Sequence, residues 1–204
     1  MRLPTEEQCL NYFEEYVVPK NIFKHCLKVR EVAVFLAKKL TEKGLKINLE
    51  LVDRSALLHD LFKAISLEEL KPNELYNYEF SEEEIAMWKK LREKYEGMYE
   101  CEIAYEIFKD KFPELASTIK KASDPKNKNK TWEELVVHYA DWRVLKEEVV
   151  LTEERLYYLK QRYPGHDFVW EGHGTDLLVD EGKIFSELKF APTELTREFN
   201  KHKD

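Results

Sequence analysis

The residues in this 204-residue chain best suited to chemistry are four: His25, the pair His59-Asp60, and Asp141. His59-Asp60 lies in the run SALLHDLFK, apolar on both sides, which places it near the interior. Burying an ionised aspartate costs free energy unless something compensates. A divalent cation compensates, because it stabilises the carboxylate and selects the neutral imidazole; a structural His–Asp hydrogen bond is the other reading. The second such pair, His166-Asp167, follows Pro164-Gly165 and reads as a turn in which the aspartate bonds its own backbone. His25 shares a helical face with Val29 and Ala33, where a core histidine is the alternative to a ligand. Asp141 sits within LVVHYADWRVL and needs a partner, which a metal, Arg143 or His138 could supply.

Together these residues say more than each does alone. Three apolar-faced segments each deliver one His/Asp element, in the order His25, His59-Asp60, Asp141, with separations of 34 and 81 residues. Two imidazoles and two carboxylates form a mixed nitrogen and oxygen donor set suited to one divalent metal ion (Mn, Co, Ni, Fe, Zn or Mg). Four protein ligands on a six-coordinate ion leave room for water and substrate, the arrangement that acidifies a bound water near neutral pH.

These segments must be helices if the residues are to converge. Ile22, Cys26, Val29, Ala33, Leu36 and Leu40 recur at three- and four-residue steps, and Gly44 follows as a stop. Leu49, Val52, Ala56, Leu57 and Leu61 predict a second helix ending near Lys63. Ser66 before Glu69, Ser81 before Glu84, and Thr131 before Glu134 have the spacing of capping boxes. Helices are therefore expected over 67–71, 82–95, 100–111, 113–122, 132–149 and 152–162. SDPKNKNK at 123–130 reads as an exposed loop, and the glycine-bearing stretch 168–190 as a hairpin or irregular structure.

The order H…HD…D, with KHCLKVREVA, ALLHDLFK and VVHYADWRV around it, resembles the HD superfamily of metal-dependent phosphohydrolases, from Pro19 to Arg162. The resemblance implies an all-α fold: an HD-domain-like helical bundle over 1–162, with a small irregular C-terminal extension over 163–204 packed on the same domain. It implies a metal held by His25, His59, Asp60 and Asp141. The activity would be hydrolysis of a phosphate ester, with nucleotides among the candidates, through a metal-activated water. Asp60 or Asp141, while also ligating, would orient the water. Lys63, in the position of the HD-x-x-K variants, would bind the phosphate and neutralise developing charge. Arg30 and Arg143 are further candidates for binding substrate.

The chain also departs from the family. Between HD and the last Asp, MYECEIAYEIFKDKFPELASTIKKASDP contains no histidine, and Tyr99 and Ser123 stand where two-metal members carry one. A single metal is expected, and no GYP follows. The alternative is a non-catalytic metal- or nucleotide-binding regulatory module, and a third reading is a helical interaction protein with a structural HD pair. Glu100 and Glu102 read as surface glutamates, the lysines of 126–130 as a solvated loop, Trp142 as packing or a base-stacking ring, and His138 as a candidate support for Asp141.

Charge sets outer bounds. Against 33 basic residues stand 40 acidic ones, a net of −7, so no global attraction draws the chain to nucleic acid or anionic lipid. Three cysteines, none in a CxxC pair, argue against a disulfide framework and for a reducing compartment. MRLPTEEQCLNYFEEY lacks an apolar signal core, and no run approaches membrane-spanning length. The expectation is a cytoplasmic protein whose partner is a small phosphorylated substrate, with the oligomeric state open.

Overall fold

A computed structural model describes residues 1–67, 69–73, 76–165 and 167–202; of 167–169 and 171 it describes the backbone only. His166 lies outside the described residues. Among the described residues the regular elements are helices apart from one two-stranded hairpin, as an all-α bundle requires.

Helix α2 (Lys20–Thr41) is the axis of the fold. Its periodic residues Ile22, Cys26, Val29, Ala33, Leu36 and Leu40 are all buried. It packs on α3 (Leu49–Leu58) and α7 (Trp132–Trp142), and so links the core's two halves. One half gathers α1 (Glu6–Glu15), the start of α2, α3, α4 (Glu82–Lys94), α5 (Glu100–Phe108) and α6 (Pro113–Ser123). The other joins the middle of α2 to α7 and to two C-terminal helices, α9 (Asp167–Glu187) and α10 (Leu195–Lys201). Helix α8 (Thr152–Arg162) lies against α9. Among the described residues no helix is long and apolar enough to cross a membrane.

Several expectations are corrected. A helix precedes the first one anticipated: Thr5 and Gln8 close a capping box over α1, in the same S/T-x-x-E/Q pattern that marks α4 and α7. Ser66 does not cap a helix over 67–71. It ends a 3-10 turn over Lys63–Ser66, and its hydroxyl donates to Glu100 instead. The helix expected over 132–149 stops at Trp142, where β1 (Val144–Leu145) pairs antiparallel with β2 (Glu148–Val149). β-branched valines at both ends of this hairpin suit strands better than a continued helix.

The stretch 168–190 is not a hairpin: α9, 21 residues long, runs through it to Glu187. Leu177, Asp180 and Ile184 repeat at helical spacing and are buried, whereas Leu178 and Val179 point outward at 56% and 54% exposure. That inversion hid the period. Gly174 has a packing role: a Cβ there would meet Leu156 of α8 at 3.0 Å.

Candidate metal centre

Each of the four residues is delivered by a helix end or a helical face. His25 occupies the second turn of α2 beside the buried Cys26. His59 is the C-cap of α3, and Asp60 begins the tight turn that runs into the 3-10 segment. Asp141 lies in the last turn of α7. Since α2 packs on both α3 and α7, the helix ends meet. One ligand atom from each of His25, His59, Asp60 and Asp141 lies within 4.8 Å of all the others. His25 Nε2 is 3.0 Å from Asp141 Oδ1 and 4.0 Å from Asp60 Oδ2, and His59 Nε2 is 3.5 Å and 3.7 Å from the same two oxygens.

The far sides of both rings decide how the near sides behave. His59 Nδ1 lies 2.8 Å from the carbonyl of Ala56, in the last turn of α3. Carbonyls there have no partner within the helix, so α3 supplies the acceptor that fixes the ring. His25 Nδ1 lies 3.1 Å from the carbonyl of Lys146, which the hairpin turn presents with φ at +59°. A carbonyl only accepts, so each Nδ1 carries the hydrogen. Each neutral imidazole then turns a bare Nε2 lone pair towards two carboxylates. Lone pairs facing one another at 3 to 4 Å repel unless a proton or a cation stands between them. His59 Nε2 is buried with no hydrogen-bond partner.

The electrostatics describe the same strain. Burial pushes the Asp141 carboxyl up, but His25 and His59, when a proton rather than a cation occupies the focus, outweigh it through hydrogen bonds and charge and hold the group well below the ordinary carboxylate range. Burial pushes His59 down, yet the Asp60 charge and the neighbouring Cys26 and Asp141 carry it well above the usual imidazole value. The cluster therefore calls for positive charge at its focus. The donor set fits a divalent cation: two neutral imidazoles fixed by carbonyls, and two carboxylates.

A family model described as HD domain matches residues 22–150, more than half of the chain. The chain belongs to the HD domain family. No curated protein and no solved structure matches it. HD domain proteins are in general metal-dependent phosphohydrolases, and all four clustered residues lie inside the matched span.

The remaining candidates divide. Lys63, three residues beyond Asp60, stands at the rim: its Nζ is 3.9 Å from Asp60 Oδ1 and 2.6 Å from Glu100 Oε1. The Asp60 charge, followed by Glu100, pushes the Lys63 ammonium up, and Lys63 outweighs burial to push Glu100 down, so both are ionised. Glu100 is not a solvated surface glutamate. It instead bonds Lys63 and Ser66, and the signal that could have found it is its place at the start of α5.

Arg30 and Arg143, the other candidate substrate ligands, are engaged by groups of the protein itself. Arg30 is held by Asp53 at 2.6 Å and Glu6 at 2.7 Å. Arg143 is fully buried; it donates to the carbonyls of Val150 and Pro192 and pairs with Glu181 at 3.7 Å, tying the hairpin to the C-terminal segment. His138 does not support Asp141, since its Nδ1 faces Asp180 at 3.1 Å. Tyr76 was not anticipated. It is buried, and burial raises its phenol.

Proposed function

We propose that this HD domain protein is a phosphohydrolase dependent on one divalent cation held by His25, His59, Asp60 and Asp141. One observation carries the reading: both imidazoles are fixed through Nδ1 by backbone carbonyls, and both bare Nε2 atoms face the same two carboxylates. A cation bound there supplies Lewis acidity, polarising a phosphoryl oxygen and acidifying a bound water.

The chain's own residues do the rest. Asp60 combines a ligating oxygen facing the histidines with a second oxygen, Oδ1, turned towards Lys63. That second oxygen is the acceptor that orients an attacking water. Lys63 supplies fixed positive charge at the rim, where negative charge grows on the phosphoryl group. Glu100, itself accepting from the Ser66 hydroxyl, holds that ammonium in place from the far side.

The test is metal analysis together with a screen of phosphate esters on wild type and Asp60→Ala. Wild type is expected to hold one cation per chain and to hydrolyse at least one ester class, and the variant to lose both. Equal metal content and equal turnover in the two proteins reject the reading.

The engagement of Lys63 by Glu100 favours a second reading, a module that binds a nucleotide without cleaving it. A nucleotide that raises the melting temperature and is recovered intact distinguishes this from hydrolysis.

A further inference from the structure

Helix α9 turns charged residues inward and apolar ones outward. Asp180 meets His138 and Lys130, and Glu181 accepts from Tyr139 and Thr152. On the opposite side Gly172, Thr175, Leu178, Val179, Gly182 and Ser186 are exposed, Leu178 and Val179 over more than half of their surface. At about 100° per residue these six share an arc of about 120° along about 21 Å of helix. In a chain with 36% charged residues, the outer face of a helix is expected to be ionic. Here Asp176 and Lys183 stand only along one edge of it, and Asp176, although bonded to Lys128, keeps part of its side chain exposed.

Nothing within the chain calls for the two outer glycines. Neither holds a left-handed backbone, and a Cβ built on either meets nothing within 4 Å, whereas one on Gly174, on the α8 side, meets Leu156 at 3.0 Å. Glycine inside a helix destabilises it relative to alanine. What the missing Cβ atoms permit is close approach of another backbone from outside.

The pattern also says which backbone. It is nearly palindromic about Leu178 and Val179: Thr175 mirrors Gly182, and Gly172 mirrors Ser186. A second α9 lying antiparallel across a two-fold axis there sets small residues against small ones and the aliphatic pair against itself. Such an axis, perpendicular to the helix, keeps each edge beside the same edge. Lys183 of one copy then comes within about 3 Å of level with Asp176 of the other, twice over. A face about 21 Å long and one helix wide is small beside the ~800 Å² per partner of a stable interface, so the pair is a weak one.

We infer that the outer face of α9 binds a second copy of this chain, through antiparallel α9 helices packed about a two-fold axis near Val179, with Lys183 of each copy beside Asp176 of the other. The inference uses no residue of the metal centre and is independent of the phosphohydrolase reading.

Sedimentation equilibrium of the full chain, from about 5 to about 500 μM, tests it. Wild type is expected to pass from monomer to dimer with a midpoint in the tens of micromolar, about −6 kcal/mol by the standard conversion. Val179→Glu sets like charges on both sides of the axis and is expected to weaken association more than about tenfold. Gly172→Ala/Gly182→Ala separates association from folding. At about 5 μM it is expected to melt a few degrees above wild type, because alanine favours the helix and meets nothing, yet to dimerise about tenfold more weakly, because the methyl groups hold the backbones apart. Lys183→Glu and Asp176→Lys should each associate more weakly alone, and their equimolar mixture should recover wild-type association by pairing opposite charges across the axis. A wild type that stays monomeric to about 500 μM overturns the inference, as does a dimer whose affinity is unchanged in both a folded Val179→Glu and the glycine double variant.

Discussion

Helix α7 serves two His/Asp clusters from neighbouring positions one turn apart, and they have been solved differently. Asp141 meets His25 and His59. His138, three residues earlier, meets Asp180 of α9 at 3.1 Å, and there Lys130 completes the set at 3.3 Å from the same carboxylate oxygen. In the second cluster a lysine neutralises the aspartate, and Lys130 and Asp180 are almost wholly buried, at 6% and 7% side-chain exposure. In the first, two carboxylates face two imidazole nitrogens, and the nearest lysine stands at the rim, reaching Asp60 at 3.9 Å. A closed ion pair is architecture. An open set of acceptors around a common focus is satisfied by a proton or by an added cation, and it is the set that fits a divalent ion.

The largest expected effect tests the open cluster. Asp141→Ala should reduce bound cation to background and lower hydrolysis by more than about 100-fold, measured by elemental analysis and steady-state assay, with the helical circular dichroism spectrum retained. An unchanged cation content would make the two clusters alike.

The closed cluster should answer through stability. Asp180→Asn leaves Lys130 buried without its anion and should cost about 3 kcal/mol in denaturant unfolding, while cation content stays at the wild-type level. Replacing both partners by apolar residues, Lys130→Met/Asp180→Leu, should recover part of that loss.

Acid sharpens the contrast. Burial raises the Asp180 carboxyl, but the hydrogen bond from His138 and the charge of Lys130 bring it below its usual value. The ionised group therefore stabilises the fold above the ordinary carboxyl range, and this contribution is lost as pH falls through the depressed folded value. Melting temperatures measured from pH 6 downward should fall less steeply for Asp180→Asn than for wild type.

The smallest effect concerns the carbonyl behind His25. Lys146 holds a left-handed backbone that glycine adopts without strain. Lys146→Gly should leave cation affinity unchanged and alter stability by about 1 kcal/mol or less, whereas Lys146→Val should weaken both, because a β-branched residue resists φ near +59° and moves the carbonyl. Competition with a chelating dye measures the affinity.

Much of this was legible in the residues because the signals were local. The face of α2 could be read from three- and four-residue steps, and the starts of α4 and α7 from capping boxes that the structure contains. The failures were also local signals, overruled by distant partners. Ser66 has the spacing of a cap, but Glu100 on α5 takes its hydroxyl. The α7 pattern continues to 149 on paper, but burial of Arg143 against Val150 and Pro192 ends the helix. The glycines of α9 look like breaks, yet Gly174 is the point at which two helices approach.

At the centre, the sequence by itself specified which residue types lie on which elements: His25 on an apolar helix face, His59-Asp60 between apolar runs, and Asp141 in an apolar segment. Propensity and periodicity act over a few residues, and that is enough to place them. Only the tertiary structure decided that Nε2 rather than Nδ1 faces the focus, that Lys63 is held from behind by Glu100, and that Arg30 and Arg143 are bound to other partners. His59 to Ala56 and Arg143 to Val150 are local contacts, but the other outcomes depend on hydrogen bonds and ion pairs between groups 23 to 121 residues apart, which no short-range pattern encodes.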